Sequence, residues 1–194
     1  MDRKERILEA AYEHFSKNGY NAGLSNIAKD AGIKKPTLYN YFANKDDLLF
    51  EMLTIEIHKY FSNRLNEFEA YESKTIEARL KNLFFTIIEY FKDKKAVKFW
   101  RWIIFIDSDE LKEKARNIIK NEEKDFLYLL INVFEEGVTN GEIKDQPIRP
   151  LIHTYIALIH GTLDGVLLYD QLLDLEAFSE NVWNTFWEGI SKKN

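Results

Sequence analysis

Apolar residues recur at intervals of three and four in every long segment of this chain, and no segment sustains an alternation of apolar and polar residues. Intervals of three and four place side chains on one face of an α-helix, whereas a half-buried strand requires alternation by two. The sequence therefore predicts an all-α protein. Its 194 residues, of which 45% are hydrophobic, are enough to bury a core in one or two domains.

Helix start and stop signals divide this pattern into nine predicted helices, three at the start and six behind them. Gly19 and Gly32 suit helix ends, Pro36 suits a first helical turn, and Asp107-Ser108-Asp109 supplies an N-cap. The fourth helix, capped by Asn44, spans roughly 37 Å. The fifth helix follows a polar break at 71–75 and carries an apolar stripe from Leu80 to Phe91. The approximate bounds of the others are 3–18, 24–31, 35–42, 45–70, 96–106, 110–138, 149–172 and 175–191.

The net charge of −5 conceals an asymmetry along the chain. Residues 1–45 hold eight Lys or Arg and five Asp or Glu, a formal charge of +3. Residues 46–194 hold nineteen and twenty-seven, a formal charge of −8. Only the first part of the chain is therefore expected to meet the phosphates of a nucleic acid.

Cysteine is absent, which excludes disulfides, thiolate metal sites and cysteine nucleophiles. No run reaches the roughly 18–20 apolar residues that cross a bilayer, and the charged start leads into an amphipathic helix, unlike a signal peptide. These features predict a cytoplasmic protein with no membrane-spanning segment.

The second and third predicted helices, joined by a turn at Gly32, have the lengths of a helix-turn-helix. In the third helix, Leu38 and Phe42 are four residues apart and are expected to face inward. The outward arc would then carry donor-rich side chains that suit base edges and phosphates: Lys35, Thr37, Tyr39, Asn40 and Tyr41. On this helix alone, a surface helix with ordinary solvated side chains explains the pattern equally well.

The whole N-terminal segment favours DNA binding. From RILEAAYEHFSKNGY through IAKDAGIKKPTLYNYFANKDDLL, residues 3–49 resemble the TetR family of bacterial transcriptional regulators. The resemblance implies a three-helix DNA-binding domain at 1–49 and a six-helix effector-binding and dimerisation domain at 50–194. The residues that it implies near bases or backbone are Ser25, Lys35, Pro36, Thr37 and Tyr39, and those on phosphates are Tyr41 and Lys45. Asn40, which can pair with adenine, and Lys34 complete the predicted DNA-binding set.

The sequence departs from the family pattern at the start of the second helix. The segment between Tyr20 and Ile27 is one residue shorter than usual, and Gly23 replaces the usual hydroxyl residue. A phosphate contact is therefore expected to be missing, with Ser25 or Asn26 as its replacement. Lys34 likewise stands where a small capping side chain often opens the third helix.

Two features near the C-terminus suggest a second copy of the chain as partner. Small residues in the penultimate helix would permit close helix approach, and the last helix carries more apolar area than one small subunit readily covers. Close packing within one subunit is the alternative. Family resemblance implies a homodimer on a pseudo-palindromic double-stranded operator, with two reading heads about 34–36 Å apart. The predicted interface residues are Ala157, Gly161, Gly165, Phe178, Val182, Trp183 and Phe186.

The middle of the chain is rich in aromatic residues, which form either core or a pocket for a small effector. Such pockets are mostly apolar with few polar groups. The family resemblance implies an effector site in this region, so we expect an unknown small hydrophobic or aromatic effector. The candidates are Trp100, Trp102, Phe105, Tyr128 and, as a polar contact, His160.

An enzyme is not expected, because no nucleophile with a base, metal-ligand set or glycine-rich phosphate loop is present. His153 and His160 are seven residues apart, roughly 10.5 Å along a helix, too far to share a metal. No cofactor is predicted. The hypothesis is a homodimeric repressor released from its operator by a small molecule. The alternative is a small-molecule carrier or protein-interaction module whose head does not read DNA.

Overall fold

The computed structural model describes residues 1–71, 74–169 and 174–192, without the side chains of 166–169. Within these ranges the chain forms ten α-helices and no strand, which confirms the predicted all-α class. A short 3-10 turn, Gly19–Asn21, follows the first helix. The helices are α1 Arg3–Asn18, α2 Leu24–Asp30, α3 Lys35–Leu38, α4 Lys45–Glu69, α5 Ile76–Tyr90, α6 Lys94–Ile104, α7 Asp109–Glu122, α8 Lys124–Thr139, α9 Ile148–Tyr169 and α10 Leu175–Ile190.

Two predicted helices were wrong in extent. The single helix at 110–138 is two helices, α7 and α8, which meet at Glu123. Glu123 keeps right-handed backbone angles and its N–H still bonds to the Ile119 carbonyl, so no glycine or proline marks the break. The third helix ends at Leu38 instead of near 42, although the N–H of Phe42 still bonds to the Leu38 carbonyl.

Unit 1, the first of two compact units, contains residues 1–61 and 92–123. It holds α1 to α3, the first part of α4, and α6 and α7. Its core includes the apolar stripe of α1, where Ile7, Ala11 and Phe15 are fully buried. The segment 1–49 that was predicted to bind DNA lies entirely within this unit. Its separation as a DNA-binding domain from 50–194 stays a prediction.

Unit 2 contains residues 62–91 and 124–194, including the end of α4 and helices α5, α8, α9 and α10. Tyr155 on α9 is fully buried and donates a hydrogen bond to the Leu80 carbonyl of α5 at 2.8 Å. Its ring lies 5.8 Å from that of Phe134 on α8. This tyrosine therefore holds three helices of unit 2 together. Among the helices in the described ranges, none is long and apolar enough to cross a membrane.

Candidate functional site

The turn between α2 and α3 has the geometry of a helix-turn-helix. The N–H of Gly32 bonds to the Lys29 carbonyl at 3.0 Å, and that of Ile33 bonds to the Ala28 carbonyl at 2.9 Å. This pair of bonds is the Schellman motif, which needs a left-handed residue just past the helix. Gly32 supplies it with φ at +71°. Pro36 then lies in the first turn of α3, where its missing N–H has no helical partner to lose.

The predicted inward-facing residues of this region are buried and most of the predicted DNA-binding ones are exposed. Leu38 and Phe42 are 0% and 2% exposed, so they fix the side of the segment that meets the core. Three of the predicted residues, Thr37, Tyr41 and Lys45, are half-buried. The exposed ones are Ser25, Lys34, Lys35, Pro36, Tyr39 and Asn40. The segment therefore presents hydroxyl, amide and ammonium groups to solvent on a rigid support.

Neither of the short helices has a capping side chain. The N-caps Gly23 and Lys34 have extended backbone angles and make no side-chain cap hydrogen bond. At Gly23 φ is −85° and ψ is 122°, a geometry that a serine or threonine cap adopts. An added Cβ there would meet only the Asn26 side-chain nitrogen, at an ordinary 3.6 Å. The structure therefore has room for a serine or threonine at position 23, and packing does not require glycine there.

Lys45, predicted on a phosphate, is engaged within the protein. Its Nζ donates to the Tyr20 carbonyl and lies 4.6 Å from the centre of the Tyr20 ring. Burial lowers the pKa of Lys45. The Tyr20 hydroxyl donates to the Asp46 carboxylate at 2.6 Å, a bond that raises the pKa of Tyr20. Lys45 therefore joins the 3-10 turn after α1 to the start of α4, a role that the sequence pattern did not reveal.

Further contacts that stabilise the N-terminal segment 1–49, the DNA-reading head, are made by α1. His14 Nε2 lies 2.7 Å from the Asp30 carboxylate of α2. Lys4 forms an ion pair with Glu51 of α4. These links, together with the apolar stripe of α1, fix the orientation of α2 and α4 against α1. No sequence signal identifies such pairs, because their members lie far apart along the chain.

Helix α6 packs on the C-terminal half of α1 and includes one of the predicted effector residues. Trp102 stacks against Phe15, with ring centres 6.1 Å apart. It also covers Gly19, where an added Cβ would lie 2.5 Å from the Trp102 Nε1 atom. Tyr12 and Phe99 make an edge contact at 5.0 Å. Trp102 therefore has a packing role between α1 and α6, whereas its effector contact stays a prediction.

The other predicted effector residues are not gathered by the described contacts. Trp100 makes an edge contact with Tyr60 at 5.0 Å in unit 1. Phe105, also in unit 1, is 74% exposed. Tyr128 and His160 belong to unit 2 and are both exposed. Among the residues that the structure describes, no group of three His, Asp or Glu side chains could hold a metal ion.

The predicted interface residues divide into internal and exposed ones. Trp183 is fully buried and lies 5.8 Å from Phe84 and from Phe186, which is itself 7% exposed. The argument that one subunit cannot cover this apolar area was therefore wrong for these two side chains. An added Cβ at Gly165 would meet the Phe178 ring at 2.8 Å, so that glycine permits packing between α9 and α10.

The remaining part of the small-residue stripe is open. Ala157 and Gly161 are exposed, and an added Cβ at Gly161 would meet nothing within 4 Å. Phe178 and Val182 are half-buried. Close approach of a second helix is therefore possible only at the Ala157 and Gly161 part of the stripe.

Residues 7–52 match the family model described as bacterial regulatory proteins, tetR family. The chain is 29% identical to the fatty acid metabolism regulator protein of Bacillus subtilis, over 97% of this chain and 95% of that protein. It is 31% identical to the uncharacterized HTH-type transcriptional regulator YhgD of Bacillus subtilis, over 82% and 83%.

Its fold is similar to a crystal structure of the transcriptional regulator FadR from Bacillus subtilis in complex with stearoyl-CoA. The TM-score is 0.72 and the sequence identity 27%, over 96% of this chain and 98% of that one. The similarity therefore extends beyond the N-terminal head to nearly the whole length of both chains.

Proposed function

Since this chain belongs to the TetR family of bacterial regulatory proteins and is a DNA-binding transcriptional regulator, we propose that it is a homodimeric repressor which leaves its operator when it binds a fatty acyl-CoA. The observation that carries the effector class is full-length similarity to a fatty acid metabolism regulator and to FadR bound to stearoyl-CoA.

Operator binding is supported by the exposed surface of α2 and α3. The Gly32 turn and buried Leu38 hold α3 as a rigid short helix whose polar side chains face solvent. A helix of this kind can enter the major groove, where lysine can donate to guanine and asparagine can pair with adenine. We assign Lys35 and Asn40 to base contacts. Lys34 and Tyr41 suit phosphate contacts, which fix the register on DNA.

A homodimer is supported by the open part of the α9 stripe. Ala157 and Gly161 are small and exposed, and an added Cβ at Gly161 would meet nothing within 4 Å, so another helix can approach closely there. A two-fold interface places two heads on one face of DNA, and each reads one half of a pseudo-palindromic operator. The proposed interface therefore consists of exposed α9 residues and the half-buried Phe178 and Val182 of α10.

Release is supported by the continuity of α4. This helix begins at Lys45 in unit 1 and ends at Glu69 in unit 2, so both units share it. An effector that binds one position of α4 better than another shifts the population toward that position. The Lys45 and Asp46 contacts to Tyr20 would pass such a shift to α1. The spacing of the two heads, and hence operator affinity, would then change.

The test begins with selection of an operator from a random DNA pool by the purified protein. Fluorescence anisotropy then follows the labelled operator as palmitoyl-CoA is added. We expect dissociation with palmitoyl-CoA and none with unmodified coenzyme A at the same concentration. An operator complex that persists when palmitoyl-CoA is saturating would contradict the proposed effector. Lys35→Ala should change the selected sequence, whereas the exposed α7 control Lys120→Ala should not.

A further inference from the structure

Helix α6 carries a row of exposed cations that the proposed operator surface does not use. Lys94, Lys98 and Arg101 are spaced by four and three residues, so they lie within about 60° of one another around the helix. All three are exposed, and none has an ion pair among the described residues. Over roughly 10.5 Å of helix axis, the row offers only positive charge.

Several other cations of unit 1 are paired with a carboxylate, whereas the three cations of this row are not paired in the described part of the chain. The ammonium groups of Lys4, Lys17 and Lys114 each lie beside a carboxylate. Nearer to the row, Lys95 is paired with Glu13, and the Asp93 carboxylate accepts the Lys95 backbone N–H at 2.8 Å as the cap of α6. Glu13 and Asp93 are therefore both engaged with Lys95, and the row can attract an anion from solution.

An exposed aromatic ring continues the row. Phe105 follows Arg101 by four residues, and its N–H bonds to the Arg101 carbonyl at 3.1 Å, so it lies one turn further on the same side. Phe105 is 74% exposed and the adjacent Ile104 is 56% exposed. Large apolar side chains exposed together mark interaction sites. A ring beside cations suits a ligand that has both phosphates and a flat aromatic group.

We propose that this row, Lys94, Lys98, Arg101 and Phe105, holds the nucleotide end of a coenzyme A thioester. The cations would bind its phosphates and Phe105 would stack on its adenine ring. The assignment rests on the proposed function, because it takes an acyl-CoA as the effector. It assigns a site to the coenzyme A part of the effector, and such a site would favour a coenzyme A thioester over a free fatty acid.

Operator DNA is the competing occupant, since it also carries phosphates. In an intact duplex, however, both faces of each base are stacked on neighbours, so an exposed phenyl ring gains no stacking partner there. The adenine of coenzyme A is free to stack. The side chains through which α6 contacts the DNA-reading head are moreover different ones, namely Lys95, Phe99 and Trp102.

The experiment measures binding of palmitoyl-CoA, coenzyme A and palmitate to the full-length protein by calorimetry. The variants are Lys98→Glu/Arg101→Glu, Phe105→Ala and a control, Arg116→Glu/Lys120→Glu. The control reverses two exposed α7 cations without an ion pair among the described residues, so it changes the net charge equally. We expect palmitoyl-CoA affinity to fall about tenfold or more in the first variant and about fivefold or more in the second. The control should change it less than about threefold.

Palmitate binding and effector-free operator affinity should match the wild type in all variants, which also shows that they fold. If wild-type protein binds palmitoyl-CoA and the Lys98→Glu/Arg101→Glu variant binds it equally well, the α6 assignment is overturned while the proposed function stands. Loss of operator affinity in that variant alone would assign the row to DNA and also overturn it. If wild-type protein binds no palmitoyl-CoA, the proposed effector itself is wrong.

Discussion

Gly19→Ala tests the packing of α6 on the DNA-reading head. Gly19 has φ +54° and ψ −145°, a backbone conformation that side chains other than hydrogen rarely permit. The strain of an alanine there is about 1–3 kcal/mol. Its Cβ would also lie 2.5 Å from the Trp102 Nε1 atom, so the indole must move at a further cost of about 1–3 kcal/mol. We expect the free energy of unfolding to fall by about 2–6 kcal/mol.

A double-mutant cycle with Trp102→Ala separates the two contributions. Urea unfolding followed by far-UV circular dichroism gives the free energy of unfolding for both single variants and the double variant. In the Trp102→Ala background, Gly19→Ala should cost only the backbone strain, so the coupling should be about 1–3 kcal/mol. Gly189→Ala is the control, because Gly189 lies in a helix with nothing within 4 Å of an added Cβ. Equal losses in the two backgrounds would refute the proposed contact.

Further predictions concern the helix cap, an ion pair and the interface. Gly23→Thr should add a side-chain cap to α2, raise the free energy of unfolding by a few tenths of a kcal/mol and tighten operator binding, which thermal denaturation and anisotropy measure. Glu13→Gln should lower stability at neutral pH, because the Lys95 hydrogen bond lowers the pKa of Glu13. That stability is present above the unfolded value near 4.5 and is lost as pH falls through the folded value, so urea unfolding of the two proteins should converge in acid. Gly161→Leu should produce monomers in light scattering, whereas Asn132→Leu on an exposed part of α8 should leave a dimer; a dimeric Gly161→Leu would place the interface elsewhere.

The helix-turn-helix was predictable because its signals are local. Gly32 is required by a left-handed turn, Pro36 tolerates only the start of a helix, and Leu38 and Phe42 have the spacing of a buried face. Each signal involves residues within one or two turns of one another. Their agreement predicted the location of the head without knowledge of its tertiary contacts.

Long-range contacts account for what the sequence did not predict. The hydrogen bond from Lys45 to the Tyr20 carbonyl joins residues 25 positions apart, and no sequence pattern around either residue predicts it. The sequence predicts an effector contact for Trp102, and only the fold shows that it stacks on Phe15 of α1. Trp183 was predicted to lie at an interface because the last helix has a large apolar area. It is instead fully buried within one chain, where its ring contacts Phe84 and Phe186. The junction at Glu123 gave no signal, because its backbone remains nearly helical.

The most direct test of the central claim is operator affinity across a salt series. Anisotropy with the selected operator and a scrambled duplex gives the specificity ratio at each ionic strength. We predict a ratio of about 10³ or more for the wild type, and a decrease of about tenfold for Lys35→Ala, whose side chain is exposed on α3. Equal affinity for the two duplexes at every salt concentration would contradict the claim that α3 reads an operator.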